Sequence, residues 1–263
     1  MLKQRLITAT ILIPLIVWVL LATSTQVLVG IMSVFILIGA WEWAALCGWK
    51  TKLTKSFYVL FVSLLLLVSY WFQHYMVYSL IIASAWWLLA LYWTWQYQQQ
   101  HDLLPINSVI KALLGIVILI PAWIALLLLR DQYGGQWVLF LFVLIWVADS
   151  GAYFAGKRWG KTKLADKVSP GKTLEGVSGA LVMGLVIALG YVVLQSISWL
   201  FILLCLLTIL VSILGDLLES MFKRQMSIKD SGNILPGHGG VLDRIDSLTS
   251  AAPIFVGGLM LFF

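Results

Sequence analysis

Long apolar stretches alternate with short polar ones along this chain, and most are too long for an ordinary soluble core helix. The first apolar run extends from Leu6 to Ala22, and the next begins almost at once, near Val27. About 20 apolar residues carry a helix across the hydrocarbon layer. The pattern therefore predicts nine helices, at roughly 6–22, 27–47, 57–72, 78–95, 108–129, 137–155, 173–195, 197–220 and 247–263. Lys3 and Arg5 ahead of the first run resemble the start of a secretory leader, but a tight helical hairpin accounts for both runs more economically. No repeat of 20–50 residues and no linker divides the sequence. The expectation is an all-α, polytopic integral membrane protein forming a single domain over residues 1–263, with residues 1–130 as helical scaffold and the chemistry in 131–263.

Composition narrows the class. Of the 263 residues, 62% are hydrophobic and 11% charged, and the mean hydropathy is +0.99. A soluble domain carries about 25% charged residues, so soluble, disordered and disulfide-scaffold classes are excluded together. Cys47 and Cys205 lie far apart in apolar runs with no CxxC or Cys/His cluster, and read as small core residues.

The charges are segregated. With the N-terminus placed in the cytoplasm, 16 of the 17 lysines and arginines fall on the inner side, and only Arg130 falls outside. Ten of them lie between Lys157 and Arg244. A formal net charge of +6 could attract nucleic acid, but no soluble basic domain is present to hold it. Phosphate-bearing small molecules and anionic lipid headgroups are the better partners. The Trp-rich stretches Trp86-Trp87 and Trp93-Trp95 fit interfacial belts or lipid-facing surfaces. Glu42, between Trp41 and Trp43, is a carboxylate at membrane depth: a functional candidate, or the partner of a lysine in the following loop. Gly176, Ala180, Gly184 and Ala188 form a small-residue stripe for close helix packing.

The candidate chemistry lies in the last 120 residues. Asp149 interrupts an apolar helix, a placement that costs roughly 2.5–3.5 kcal/mol and calls for a cation or donors nearby. Ser169-Pro170-Gly171-Lys172-Thr173 resembles the end of a phosphate-binding P-loop, but the required glycine is Asp166 and no strand leads into it, so that motif is rejected. What remains is Ser169 as N-cap, Pro170 in a first helical turn, and Lys172 beside a helix N-terminus, a combination suited to an anion. Asp216, Glu219, Ser220 and Lys223 share one helix face. The 24 residues from Lys223 to Asp246 then carry eight ionisable side chains, with glycines around His238 and Asp243 three residues from Asp246. Carboxylates among many cations, with no Ser-His-Asp, HExxH or thiol nucleophile, point to metal-assisted phosphoryl or nucleotidyl transfer. Hard oxygen ligands suit Mg²⁺. A transporter would place such charges at midplane between repeated halves, which this chain does not do.

Three stretches together resemble one family. Ser220-x-x-Lys223-Arg224, Lys229-Asp230 and Pro236-Gly237-His238-Gly239-Gly240-x-x-Asp243-Arg244-x-Asp246 look like the signature of phosphatidate cytidylyltransferases, the CDP-diacylglycerol synthases. Ala148–Phe154 and Ser169–Gly176 are similar to the same family, with Gly171 where many relatives have lysine and Leu174 where many have tryptophan. The resemblance implies transfer of a cytidylyl group from CTP to phosphatidic acid, with Mg²⁺ and a possible second cation, by a homodimer in the inner membrane whose site faces the cytoplasm. It implies Asp216 and Asp243 as metal ligands, with Asp246 a third ligand or an orienter. Lys172, Lys223, Arg224, Lys229 and Arg244 would hold the phosphates of CTP or phosphatidate. Ser220 would be part of the substrate site, and His238 would contact a phosphate or orient a carboxylate. Asp149 would join the metal network or position a lysine. Other CTP-using membrane enzymes, such as a lipid-alcohol kinase or a synthase acting on archaeal ether lipids, are the alternatives.

Overall fold

The computed structural model describes residues 13–72, 76–99, 107–232, 234 and 239–263. Its helices are α1 (described from Ile13 to Ala22), α2 (Thr25–Leu46), α3 (Lys52–Trp71), α4 (Met76–Gln99), α5 (Ser108–Leu128), α6 (Gly135–Trp159), α7 (Leu174–Gln195), α8 (Leu200–Gln225) and α9 (Leu242–Phe262). Among the described residues, eight are long and apolar enough to cross a membrane, and α1 is a shorter apolar helix. The all-α, polytopic expectation holds. One element departs from it: Lys163–Ala165 (β1) and Ser169–Thr173 (β2) form a short antiparallel pair between α6 and α7.

Local chemistry explains where several helices start. Ser24, Thr51, Asn107 and Thr173 have extended backbones and accept hydrogen bonds from the N–H groups of Val27, Thr54, Ile110 and Gly176, filling donors that the first helical turn leaves open. Ser169 is therefore not the cap of α7. It begins β2, and the helix starts one residue after Thr173.

Hydropathy also underestimated helix lengths. α3 begins at Lys52, α6 runs to Trp159, α8 to Gln225, and α9 begins at Leu242. Hydropathy reports the thickness of the hydrocarbon layer, whereas a helix continues into the interface wherever its backbone stays hydrogen-bonded. As a result Lys223, Asp243 and Asp246 lie on helices, as Asp149, Asp216 and Glu219 do within their predicted spans.

α5 is buried along nearly its whole length and forms the centre of the bundle. α3 buries only Tyr58, Val62 and Leu66, spaced four apart, and turns its other faces outward. α6 packs chiefly on α7, and α8 on α9. The stripe Gly176, Ala180, Gly184 and Ala188 is buried as the spacing predicted. A side chain at Gly179 would meet the Gly151 carbonyl and Ala155, which shows how closely α6 and α7 approach. α5 ends in a π-turn, Leu129–Tyr133, followed by Gly134 in a left-handed conformation. The Arg130 guanidinium donates to the carbonyls of Leu20 and Thr23, tying this end of α5 to the α1–α2 turn.

Trp86 and Trp87 correct the belt reading. Both are buried, because α4 packs inward on α5, α8 and α9. Trp95 is exposed, as a lipid-facing residue should be. Cys47 and Cys205 are buried free thiols. Burial pushes the Cys47 thiol up to about 12, which keeps it protonated and unreactive.

Candidate active site

Two ion-paired groups meet where α6, α8 and α9 end beside β2. In the first, Lys172 of β2 places its Nζ 2.7 Å from Asp216 Oδ2 on α8 and 3.5 Å from the Ile213 carbonyl. Ser220, one turn along α8, donates to Asp216 Oδ1 at 3.2 Å. Asp149 of α6 interacts electrostatically with both Asp216 and Lys172. The short β pair makes this possible. Lys163 donates to the Pro170 carbonyl across it at 2.5 Å, and Glu175 at the start of α7 accepts the Thr162 N–H. β2 thereby holds Lys172 over α8.

The second group is more enclosed. Lys223 Nζ lies 2.8 Å from Glu219 Oε2 and 2.6 Å from Asp243 Oδ1, with all three side chains largely buried. Asp243 Oδ2 accepts from the backbone N–H groups of Ser231 and Gly240, at 3.0 and 2.8 Å. Asp246 links the two groups. It feels the charge of Asp216 and lies within hydrogen-bonding reach of the Glu219 carboxyl.

Asp149, Lys172, Asp216, Ser220, Lys223, Asp243 and Asp246 are thus brought together. Arg224 is exposed and donates from Nε to the Val168 carbonyl at 3.2 Å, beside β2. Lys229 and Arg244 are exposed on the flanking loop and the first turn of α9. His238 lies outside the described residues. Lys111 is buried in the first turn of α5, with its Nζ 4.0 Å from Met226 Sδ.

Sequence reasoning underweighted Glu219. It appeared only as part of a helical spacing, yet it is buried and its Oε1 has no hydrogen-bond partner among the described residues. Beside it a small cavity of about 10 Å³ is lined by Trp43, Trp87, Glu219, Asp246 and Thr249. Trp87 Nε1 is likewise without a partner among the described residues. The available signal was a carboxylate four residues ahead of a lysine inside an apolar helix.

The charge balance bears directly on a metal. Among the described residues, five carboxylates (Asp149, Asp216, Glu219, Asp243 and Asp246) gather around the lysines Lys172 and Lys223, a formal excess of three negative charges within this set. Facing carboxylates such as Glu219 and Asp246 repel unless a cation or shared proton lies between them. The orphaned Glu219 oxygen and this excess fit a cation. Among the described residues no three acidic, His or Cys side chains form a ready-made ligand cage. Beside Asp149, α6 and α7 leave an open, mostly apolar groove of about 550 Å³ bordered by Ser150, Phe154, Trp159, Glu175 and Met183.

Residues 3–262 match the family described as the Cytidylyltransferase family. The chain belongs to this family. It is 42% identical over 271 residues to the phosphatidate cytidylyltransferase of Pseudomonas aeruginosa, an alignment covering 97% of this chain and 96% of the relative. It is 37% identical over 280 residues to that of Haemophilus influenzae, covering 97% of both. To the Bacillus subtilis enzyme of the same name it is 47% identical over 135 residues, about half of each chain. The cytidylyltransferase match therefore extends over scaffold and site alike.

Proposed function

We infer that this protein transfers the cytidylyl group of CTP to phosphatidic acid, giving CDP-diacylglycerol and pyrophosphate for phospholipid biosynthesis. The observation that carries the reading is end-to-end similarity to two relatives named phosphatidate cytidylyltransferase. The site chemistry supports it. The attacking group is a phosphomonoester, largely dianionic at neutral pH because its second pKa is roughly 6. One of its oxygens forms a bond to the α-phosphorus of CTP while the bond from that phosphorus to the bridging β-oxygen breaks and pyrophosphate leaves. No side chain has to remove a proton. The difficulty is repulsion between two polyanions, so the protein must hold them and offset their charge.

Lys172 and Lys223 enter that task already placed by Asp216, Glu219 and Asp243. Arg224, Lys229 and Arg244 bring further cations from the water-facing side, to bind the outer phosphates. Asp216 and Asp246 would hold Mg²⁺. Asp243 has Oδ2 filled by two backbone donors, so it offers the ion only the remaining lone pair of Oδ1 while keeping Lys223 in place. When bound, Mg²⁺ would neutralise phosphate charge that builds as the leaving group departs. The α6–α7 groove would receive an acyl chain, with the headgroup near Asp149 and Lys172.

The positive-inside rule supports a reading in which the N-terminus and the site face the cytoplasm, at the inner membrane of a bacterial cell. The homodimer implied by the resemblance belongs to the same proposal. The test is product analysis: purified protein with CTP, phosphatidate and Mg²⁺ should yield CDP-diacylglycerol and pyrophosphate in equal amounts. CDP with a phosphorylated lipid alcohol would mean a kinase instead.

A further inference from the structure

Glu42 is 2% exposed near the C-terminal end of the scaffold helix α2, yet its partners lie about 200 residues further along the chain. Oε1 accepts the Val241 N–H at 3.1 Å, and Oε2 accepts the Leu242 N–H at 2.7 Å and the Ser231 hydroxyl at 3.1 Å. Among the described residues, the lysines of the 50–55 loop do not pair with it. Lys55 instead sits over the Trp41 ring, 5.5 Å from its centroid. The fit is close on both sides of the loop. A side chain at Gly232 would overlap the Glu42 carboxyl, and a Cβ at Gly240 would lie 2.6 Å from Oε2.

Val241 and Leu242 stand at the start of α9, where N–H groups have no partner within the helix. The positive end of the helix favours a carboxylate there. Ser231 and Gly240 are also held by Asp243, whose Oδ2 accepts their N–H groups while Oδ1 holds Lys223. Ser231 thus gives its hydroxyl to Glu42 and its N–H to Asp243.

We propose that Glu42 is a positioning residue for nucleotidyl transfer: it clamps Ser231 to Val241 and Leu242 at the start of α9, and so fixes Asp243 and, through it, Lys223. Glu42 touches neither substrate and acts through the backbone that Asp243 reads. The inference rests on the reaction proposed above.

Glu42→Gln tests it, since the amide keeps the size but turns one acceptor into a donor facing a backbone N–H. Turnover per folded protein should fall about 10- to 100-fold, the effect of losing hydrogen bonds to a charged group. The KM values for CTP and phosphatidate should stay within about threefold. Hydrogen exchange of the Val241 and Leu242 amides should speed up at least about tenfold. A wild-type kcat in the folded fraction, a KM effect with kcat unchanged, or unaltered exchange overturns the proposal. If Glu42→Gln does not fold, Ser231→Ala is read instead. It removes one arm of the clamp and should lower kcat about three- to tenfold; an unchanged kcat then refutes the clamp. If wild-type protein makes no CDP-diacylglycerol, the reaction reading fails, and amide exchange alone decides on Glu42.

Discussion

Removing Lys223 separates holding the fold from binding substrate. Its ammonium is 8% exposed as a residue and sits between Glu219 at 2.8 Å and Asp243 at 2.6 Å. Lys223→Met keeps most of the side-chain volume but leaves two enclosed carboxylates without their shared cation, next to Asp246. Breaking a buried pair from one side costs about 3–5 kcal/mol, because the remaining charge is stranded. At about 2–4 °C per kcal/mol for a chain of this size, melting in detergent should fall by about 6–20 °C. Lys172→Met provides the contrast. Its pair with Asp216 is more open, with side-chain exposures of 23% and 35%, so its stability cost should be about 1 kcal/mol or less. Turnover of Lys172→Met should nonetheless fall about 10- to 100-fold through the lost phosphate contact. Thermal unfolding of both variants, followed by turnover at a temperature where each is folded, makes the comparison. Equal melting shifts, or a Lys223→Met shift under about 2 °C, would refute the assignment of Lys223 as the buried keystone.

Asp216→Asn should cut cytidylyl transfer by at least about a hundredfold while the protein remains folded, as seen by assay beside gel filtration in detergent. Near-normal turnover would remove Asp216 from the metal role. Lys111→Met should leave turnover within about twofold and should not lower the melting temperature, because among the described residues this buried ammonium has only a thioether at 4.0 Å to lose. A large loss there would show that the site extends to α5.

Apolar run length made the bundle legible, and the spacing of Asp216, Glu219, Ser220 and Lys223 placed them correctly on one face. These are local signals. The helical extension of the charged ends was hidden because hydropathy falls at the interface while backbone hydrogen bonding continues. The β pair was hidden because Ser169-Pro170-Gly171 reads equally well as a helix start. Trp86 and Trp87 were misread because α4 has no marked apolar face, so only tertiary packing decides which side is buried. Glu42 was marked as unusual from its position alone, but its partners at Ser231, Val241 and Leu242 depend on how α2 and α9 come together. No local pattern encodes that contact.

The central claim is that the surplus of carboxylates between α6, α8 and α9 exists to share a divalent ion with the substrate phosphates. The direct measurement is turnover against Mg²⁺ concentration for wild type and Asp246→Asn at saturating CTP and phosphatidate. Wild type should be inactive after chelation and recover with Mg²⁺, and Asp246→Asn should need at least about tenfold more of the ion. Turnover that survives chelation, or overlapping Mg²⁺ curves, would contradict the account.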